Sequence, residues 1–207
     1  MEGLRLVWRN QTLRSLAVLA GTWQLLHHMQ VAVLILFATR ELGLSAGAIG
    51  FTFMFGGAGC VIAAATAERL ALRFGVGPVI IGGLLLTAVG WQAYGLVRGS
   101  PTIATIELGL SMLVFDFGAV LFGITYLSLR QAITPDRLLG RMTATMRFLS
   151  VAAAPLGSLA GGLIATLIGL RSTLLLVGGL GILLSAAAVW WSPVRKHREL
   201  PVVPETI

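Results

Sequence analysis

The residues most able to do chemistry in this sequence are polar or ionisable side chains set inside long apolar runs. Asp116 stands in LVFDFGAV, and Glu107 lies nine residues before it. At about 100° per residue that offset is half a turn, so the two carboxylates face opposite sides of one helix and do not form an acid/base pair. A carboxyl at such depth is protonated, hydrogen-bonded or beside a cation. Two roles stay open for Asp116: a neutral tie between two helices, or a carrier of a proton. A second cluster holds Gln24, His27, His28 and Gln30, with Gln24 on the face of both histidines by the spacing of three and four residues. A water-filled cavity would account for this cluster, and imidazole suits proton handling or substrate contact. Packing or an interhelix hydrogen bond would account for either histidine alone. Adjacent histidines point about 100° apart, so at most one is expected to be central.

Other reaction chemistries lack their residues. Ser158 lies in PLGSLAG, without the Gly-x-Ser-Gly pattern of rhomboid-type intramembrane proteases and with no later histidine in an apolar run to act as base. There is no phosphate-binding loop, no ladder of spaced arginines and no spaced ligand set for zinc. Cys60 is the single cysteine, so no intramolecular disulfide forms. The expectation is a non-enzyme with no metal and no cofactor.

Composition states what must position these side chains. Of 207 residues, 57% are hydrophobic, 26 more are glycine and 11% are charged. A soluble domain carries about 25% charged residues, so this chain cannot clothe a water-facing globule. The net charge of +7 would suggest nucleic acid in a soluble protein. Here the basic residues lie between apolar runs, and no nucleic-acid partner is expected.

A helix needs roughly 20 mostly apolar residues to cross about 30 Å of hydrocarbon. Six segments qualify: 15–39, 46–66, 76–97, 103–129, 144–168 and 172–191. The sequence thus predicts an all-α membrane protein with a bundle over 15–191, a leader over 1–14 and a disordered tail over 192–207. In the leader, Leu4, Val7, Trp8 and Gln11 share a helical flank, as an interfacial helix or a solvated leader would allow. One side of the spans collects Arg5, Arg9, Arg14, Arg69, Arg73, Arg130, Arg137, Arg141, Arg147, Arg195, Lys196 and Arg198; the other has Arg40, Arg98 and Arg171. Basic residues are retained in the cytoplasm, so both termini are expected there.

Small residues supply the close approach that lipid does not drive. Gly56, Gly57 and Gly59 mark span two, Gly157, Gly161 and Gly162 span five, and Gly178, Gly179, Gly181 and Ser185 span six. Either a static bundle or a sliding surface would use them. Asp116 shares a stripe with Thr105, Gly109, Met112, Ala119 and Gly123 that is expected to face the bundle interior. Pro155 removes a backbone hydrogen bond from span five and predicts a kink. After span four, Thr134 fits an N-cap, Pro135 the first helical position and Asp136 the favourable dipole end of a short helix leading into span five.

EGLRLVWRNQTLRSL, ATRELGLSAGAIGFTFMFGGAG, ERLALRFG, RQAITPDRLLGRMTATMRF and PLGSLAGGLIATLIGLRSTL, taken together, resemble the C-terminal six-helix half of a major facilitator superfamily transporter. The likeness is greatest to the drug-efflux branch that includes macrolide pumps and the enterobactin exporter. ERLALRFG departs from the family's basic loop, with Glu68 near where Asp is usual and Ala63 or Ala64 replacing the leading Gly.

The resemblance implies three-plus-three inverted repeats and a multi-pass place in the plasma (cytoplasmic) membrane. It further implies secondary active, alternating-access efflux of small amphiphilic molecules, with protons as counter-ion. It makes spans one and four cavity-lining, which favours a substrate or proton role for Gln24, His27, His28 and Asp116, although none of them matches an invariant motif position; Gln30 and Glu107 join them as cavity candidates by their own place in those spans. Arg69, Arg73, Gly75, Arg130, Gln131, Pro135, Gly140 and Arg141 correspond to cytoplasmic gate loops. Such transporters place the substrate between two six-helix halves, so a complementary half or self-association is expected. A non-transporting truncated remnant, or a packing partner of another membrane subunit, is the alternative.

Overall fold

The computed structural model describes residues 7–197. Residues 1–6 of the expected leader and 198–207 of the expected tail lie outside the described residues. Among the described residues, six helices are long and apolar enough to cross a membrane: α1 Gln11–Arg40, α2 Ala46–Phe74, α3 Val76–Leu96, α4 Pro101–Ala132, α5 Asp136–Ile168 and α6 Leu170–Trp191.

Local chemistry sets most of the ends. Asn10 caps α1, its side chain accepting from the backbone N–H groups of Thr12 and Leu13 at 3.0 and 3.1 Å, which starts the helix ahead of residue 15. It also interrupts the helical flank of the leader, where residues 7–9 are helical and Val7 is buried against Met142 and Met146 of α5. Ser45 caps α2 by accepting from Ala48 N–H at 3.2 Å. Pro101 opens α4 after Ser100.

Two connections shrink to one residue. Gly75 alone separates α2 from α3 with φ +93°, and Gly169 alone separates α5 from α6 with φ +89°. Only glycine takes this backbone freely, and each N–H still bonds back to a carbonyl of the preceding helix, Ala71 or Ala165.

Two expected boundaries move furthest. Span two continues past residue 66 to Phe74, and span five begins at Asp136 rather than residue 144, because helices keep their backbone hydrogen bonds beyond the hydrocarbon. Thr134 is not the cap. Its hydroxyl donates back to the Arg130 carbonyl at 2.7 Å, and Pro135 is the N-cap, with no separate short helix before α5. α5 runs unbroken through Pro155.

The first residues assigned to a disordered tail are packed. Pro193–Lys196 form a 3-10 turn with Val194 fully buried. His197 accepts from Gly77 N–H at 2.7 Å through its carbonyl, and its ring meets the Thr12 hydroxyl at 3.2 Å. This segment joins the starts of α1 and α3.

Packing has a repeated pattern. α2 lies along α4 as α5 lies along α1; α3 packs on α4 as α6 packs on α1; and α3 meets α6 at the centre. Exchanging α1 with α4, α2 with α5 and α3 with α6 reproduces every main pairing. Exchanged helices are three spans apart and so run in opposite directions, which makes the two triplets inverted repeats. The two larger apolar cores lie one around Phe37, Tyr94, Leu108 and Phe115 and one around Leu16, Ile80, Leu84 and Phe122. Trp23 packs against both.

Candidate functional site

A cavity of about 230 Å³ lies between α1, α3 and α4, with Phe53 of α2 at its edge. α1 contributes His27, Gln30 and Leu34, α3 contributes Tyr94, and α4 contributes Met112, Phe115 and Asp116. The walls are largely apolar, with four polar side chains converging on one space.

His27 is held by flat surfaces. Its ring stacks on Trp23, one turn earlier, at 5.0 Å between centroids and 10° between planes, and on Phe115 of α4 at 5.6 Å and 8°. Trp91 of α3 adds a third ring at 6.5 Å. Such stacking fixes the imidazole without a hydrogen bond, and His27 Nδ1 is buried with no hydrogen-bond partner among the described residues. Gln30 is buried one turn from the ring.

Asp116 owes its place to an absent side chain. A Cβ on Gly56 of α2 would collide with the Asp116 carboxylate, so the glycine forms the notch in which that group sits. Three residues on, a Cβ on Gly59 would strike the Leu113 carbonyl and the Phe117 N–H. The notch therefore exists only because α2 and α4 approach backbone to backbone. Along the stripe expected to face the interior, Gly109 meets Phe55, whereas Gly123 meets open space.

The structure brings together His27, Gln30 and Asp116 and separates the remaining candidates from them. Gln24 and His28 do not line the cavity. His28 lies at the α1–α5 seam, where a Cβ on Gly157 would come within 3.0 Å of its own Cβ. Glu107 is exposed and accepts from Arg98 N–H at 3.0 Å, which ties the α3–α4 turn.

The residues matched to gate loops gather at the end where α1 begins. Arg69 and Arg73 are exposed, with Arg73 over the Phe74 ring at 5.3 Å. Gly75 is the single-residue connection. Arg130 is buried, donates to the Tyr126 hydroxyl at 3.3 Å and keeps its Nε without a hydrogen-bond partner among the described residues. Gln131, Gly140 and Arg141 are exposed, and Pro135 caps α5.

Sequence reasoning missed Tyr94, the Trp23–His27–Phe115 stack and the role of Gly56. Trp23 stands four residues before His27, a spacing that signals a stacked pair. The Tyr94 and Phe115 contacts cross between helices and carry no such signal.

A bundle of six apolar helices in two inverted triplets, with glycine-closed seams and a largely apolar cavity that collects four polar side chains, defines a multi-pass membrane protein, and inverted triplets are an arrangement many transporter folds share. The family model of the Major Facilitator Superfamily matches residues 17–206, and the chain belongs to that superfamily of membrane transporters. Neither the curated proteins nor the solved structures gave a match.

Proposed function

We propose that the chain supplies one six-helix half of a secondary transporter that exports small amphiphilic molecules by alternating access, with protons as counter-ion. The observation that carries this reading is the cavity in which Asp116, seated in the Gly56 notch, converges with His27, Gln30 and Tyr94. The apolar walls suit the body of an amphiphile, and Gln30 and Tyr94 can orient its polar end. Asp116 is the group that binds and releases the proton.

The cavity's 230 Å³ falls below the roughly 300–1,000 Å³ of a drug-sized site. A facing six-helix unit completes it, from a longer polypeptide, a separate chain or a second copy. It also keeps Asp116 from lipid, where a charge costs a few kcal/mol or more. The distribution of arginines supports cytoplasmic termini, and export from the cell requires the plasma membrane. Arg69, Arg73, Gly75, Arg130, Gln131, Pro135, Gly140 and Arg141 then form the cytoplasmic gate.

Dye efflux from cells lacking their own pumps tests the reading, with the chain expressed alone and with a matching six-helix N-terminal half. Transport in at least one arrangement is expected, with Asp116→Asn removing its dependence on the proton gradient. Silence in both, with both chains in the membrane, supports a non-transporting remnant or packing subunit. Efflux by Asp116→Asn with unchanged pH dependence rules out Asp116 as the proton carrier.

A further inference from the structure

A second concavity, of about 280 Å³, lies away from the transport cavity, between the first turns of α1 and the last turns of α6. Val18, Leu184 and Ala187 form apolar walls, Trp8 and Trp191 stand on its rim, and Arg14 is at its polar end. No acidic side chain lines it among the described residues. Arg14 is exposed, and no hydrogen bond or ion pair engages its guanidinium among the described residues. The two rim tryptophans are 63% and 82% exposed, as rings in the headgroup zone of a bilayer are.

We propose that this groove binds an anionic phospholipid, with its phosphate on Arg14 and an acyl chain along Val18, Leu184 and Ala187. The depth decides the class of ligand. The apolar walls belong to membrane-spanning helices, while Arg14 and the tryptophans mark the level at which hydrocarbon gives way to water. A ligand matching both zones is apolar along the helices and negative at the top, and a bilayer supplies it in the plane of the groove. A basic pocket between spans is the arrangement that selects an anionic over a zwitterionic headgroup.

The test uses the full chain in phosphatidylcholine nanodiscs, with tryptophan quenching by phosphatidylglycerol or phosphatidylcholine brominated near the headgroup end of the acyl chain. Half-maximal quenching is expected at about fivefold lower mole fraction of the anionic lipid, the preference one basic residue confers. Arg14→Gln removes that preference. Arg9→Gln, which changes an exposed charge outside the groove lining, keeps it, and Ala187→Phe, which fills the groove, weakens quenching by the anionic lipid. Equal quenching by both lipids in the unaltered chain overturns the proposal. So does an equal loss in the two arginine variants, which would leave only diffuse surface charge. Unchanged quenching in Ala187→Phe, or displacement of the lipid by millimolar inorganic phosphate, overturns it as well.

Discussion

The α2–α4 and α5–α1 seams are the same joint built twice. In the first, Gly59 of α2 lets it reach the backbone of α4 and Gly56 leaves room for the Asp116 carboxylate; in the second, Gly157 and Gly161 of α5 sit about 2.5 Å, measured from an ideal Cβ, from the Leu25 and Met29 carbonyls of α1. The outer helix of each pair then turns through one glycine, Gly75 or Gly169, into the inner helix that follows. The polar contents differ. The first seam seats a carboxylate that reaches the cavity between α1, α3 and α4, and the second seats His28, which does not. The fastening of the inner helices differs too. The start of α3 is held by the turn at Val194 and His197, whereas the start of α6 is held by Arg171, which donates to the Gly95 and Val97 carbonyls at 2.9 and 2.8 Å, covers Phe37 and pairs with Glu41. The comparison teaches that the repeat preserves backbone approach, while the polar groups set along it differ from one copy to the other.

Equivalence of the seams breaks or stands on Gly59→Ala and Gly161→Ala. Each places a methyl against a carbonyl that cannot swing away, and each is expected to lower unfolding free energy in mixed micelles by about 3 kcal/mol. A loss at only one of them would mean that the joints are not equivalent. Arg171→Ala is expected to cost about 2 kcal/mol through its charge-assisted bonds, and to speed amide hydrogen exchange at the α6 start while leaving the α3 start unchanged. Equal acceleration at both starts would show that they are not fastened separately.

Gly56→Ala separates seam from site. The group it meets is the end of a rotatable carboxylate, so stability is expected to change by less than about 1 kcal/mol. Transport by the assembled protein is expected to fall about tenfold as Asp116 leaves its notch, and near-wild-type transport would remove the notch from the mechanism. The smallest effects belong to Gly57→Ala and Gly162→Ala, whose Cβ atoms meet nothing within 4 Å. Better helix propensity is expected to stabilise each by up to about 1 kcal/mol, and a loss at either would place it in a seam.

Much of this was legible beforehand, unevenly. The six apolar runs each became one helix, and the glycine clusters marked the helices that pack closely. Within each cluster, which glycine meets a neighbour was not legible: Gly56 and Gly59 do and Gly57 does not. Of the polar candidates, Glu107 lies at a helix end and binds a backbone N–H, a use that its distance from Asp116 along the helix could not reveal. Tyr94 drew no attention because a tyrosine in an apolar run reads as core until Asp116 and His27 are seen beside the same cavity.

The sequence by itself determined the number of spans, the apolar core of each and the polar groups set among them. Those follow from the thickness of hydrocarbon and the cost of charge within it, which act on each segment separately. Only the tertiary structure decided that His27 and not His28 faces the cavity, that Asp116 rests on Gly56, and that a groove remains between α1 and α6. These depend on the rotation and height of one helix against another, which backbone approach at glycine sets and no single segment encodes.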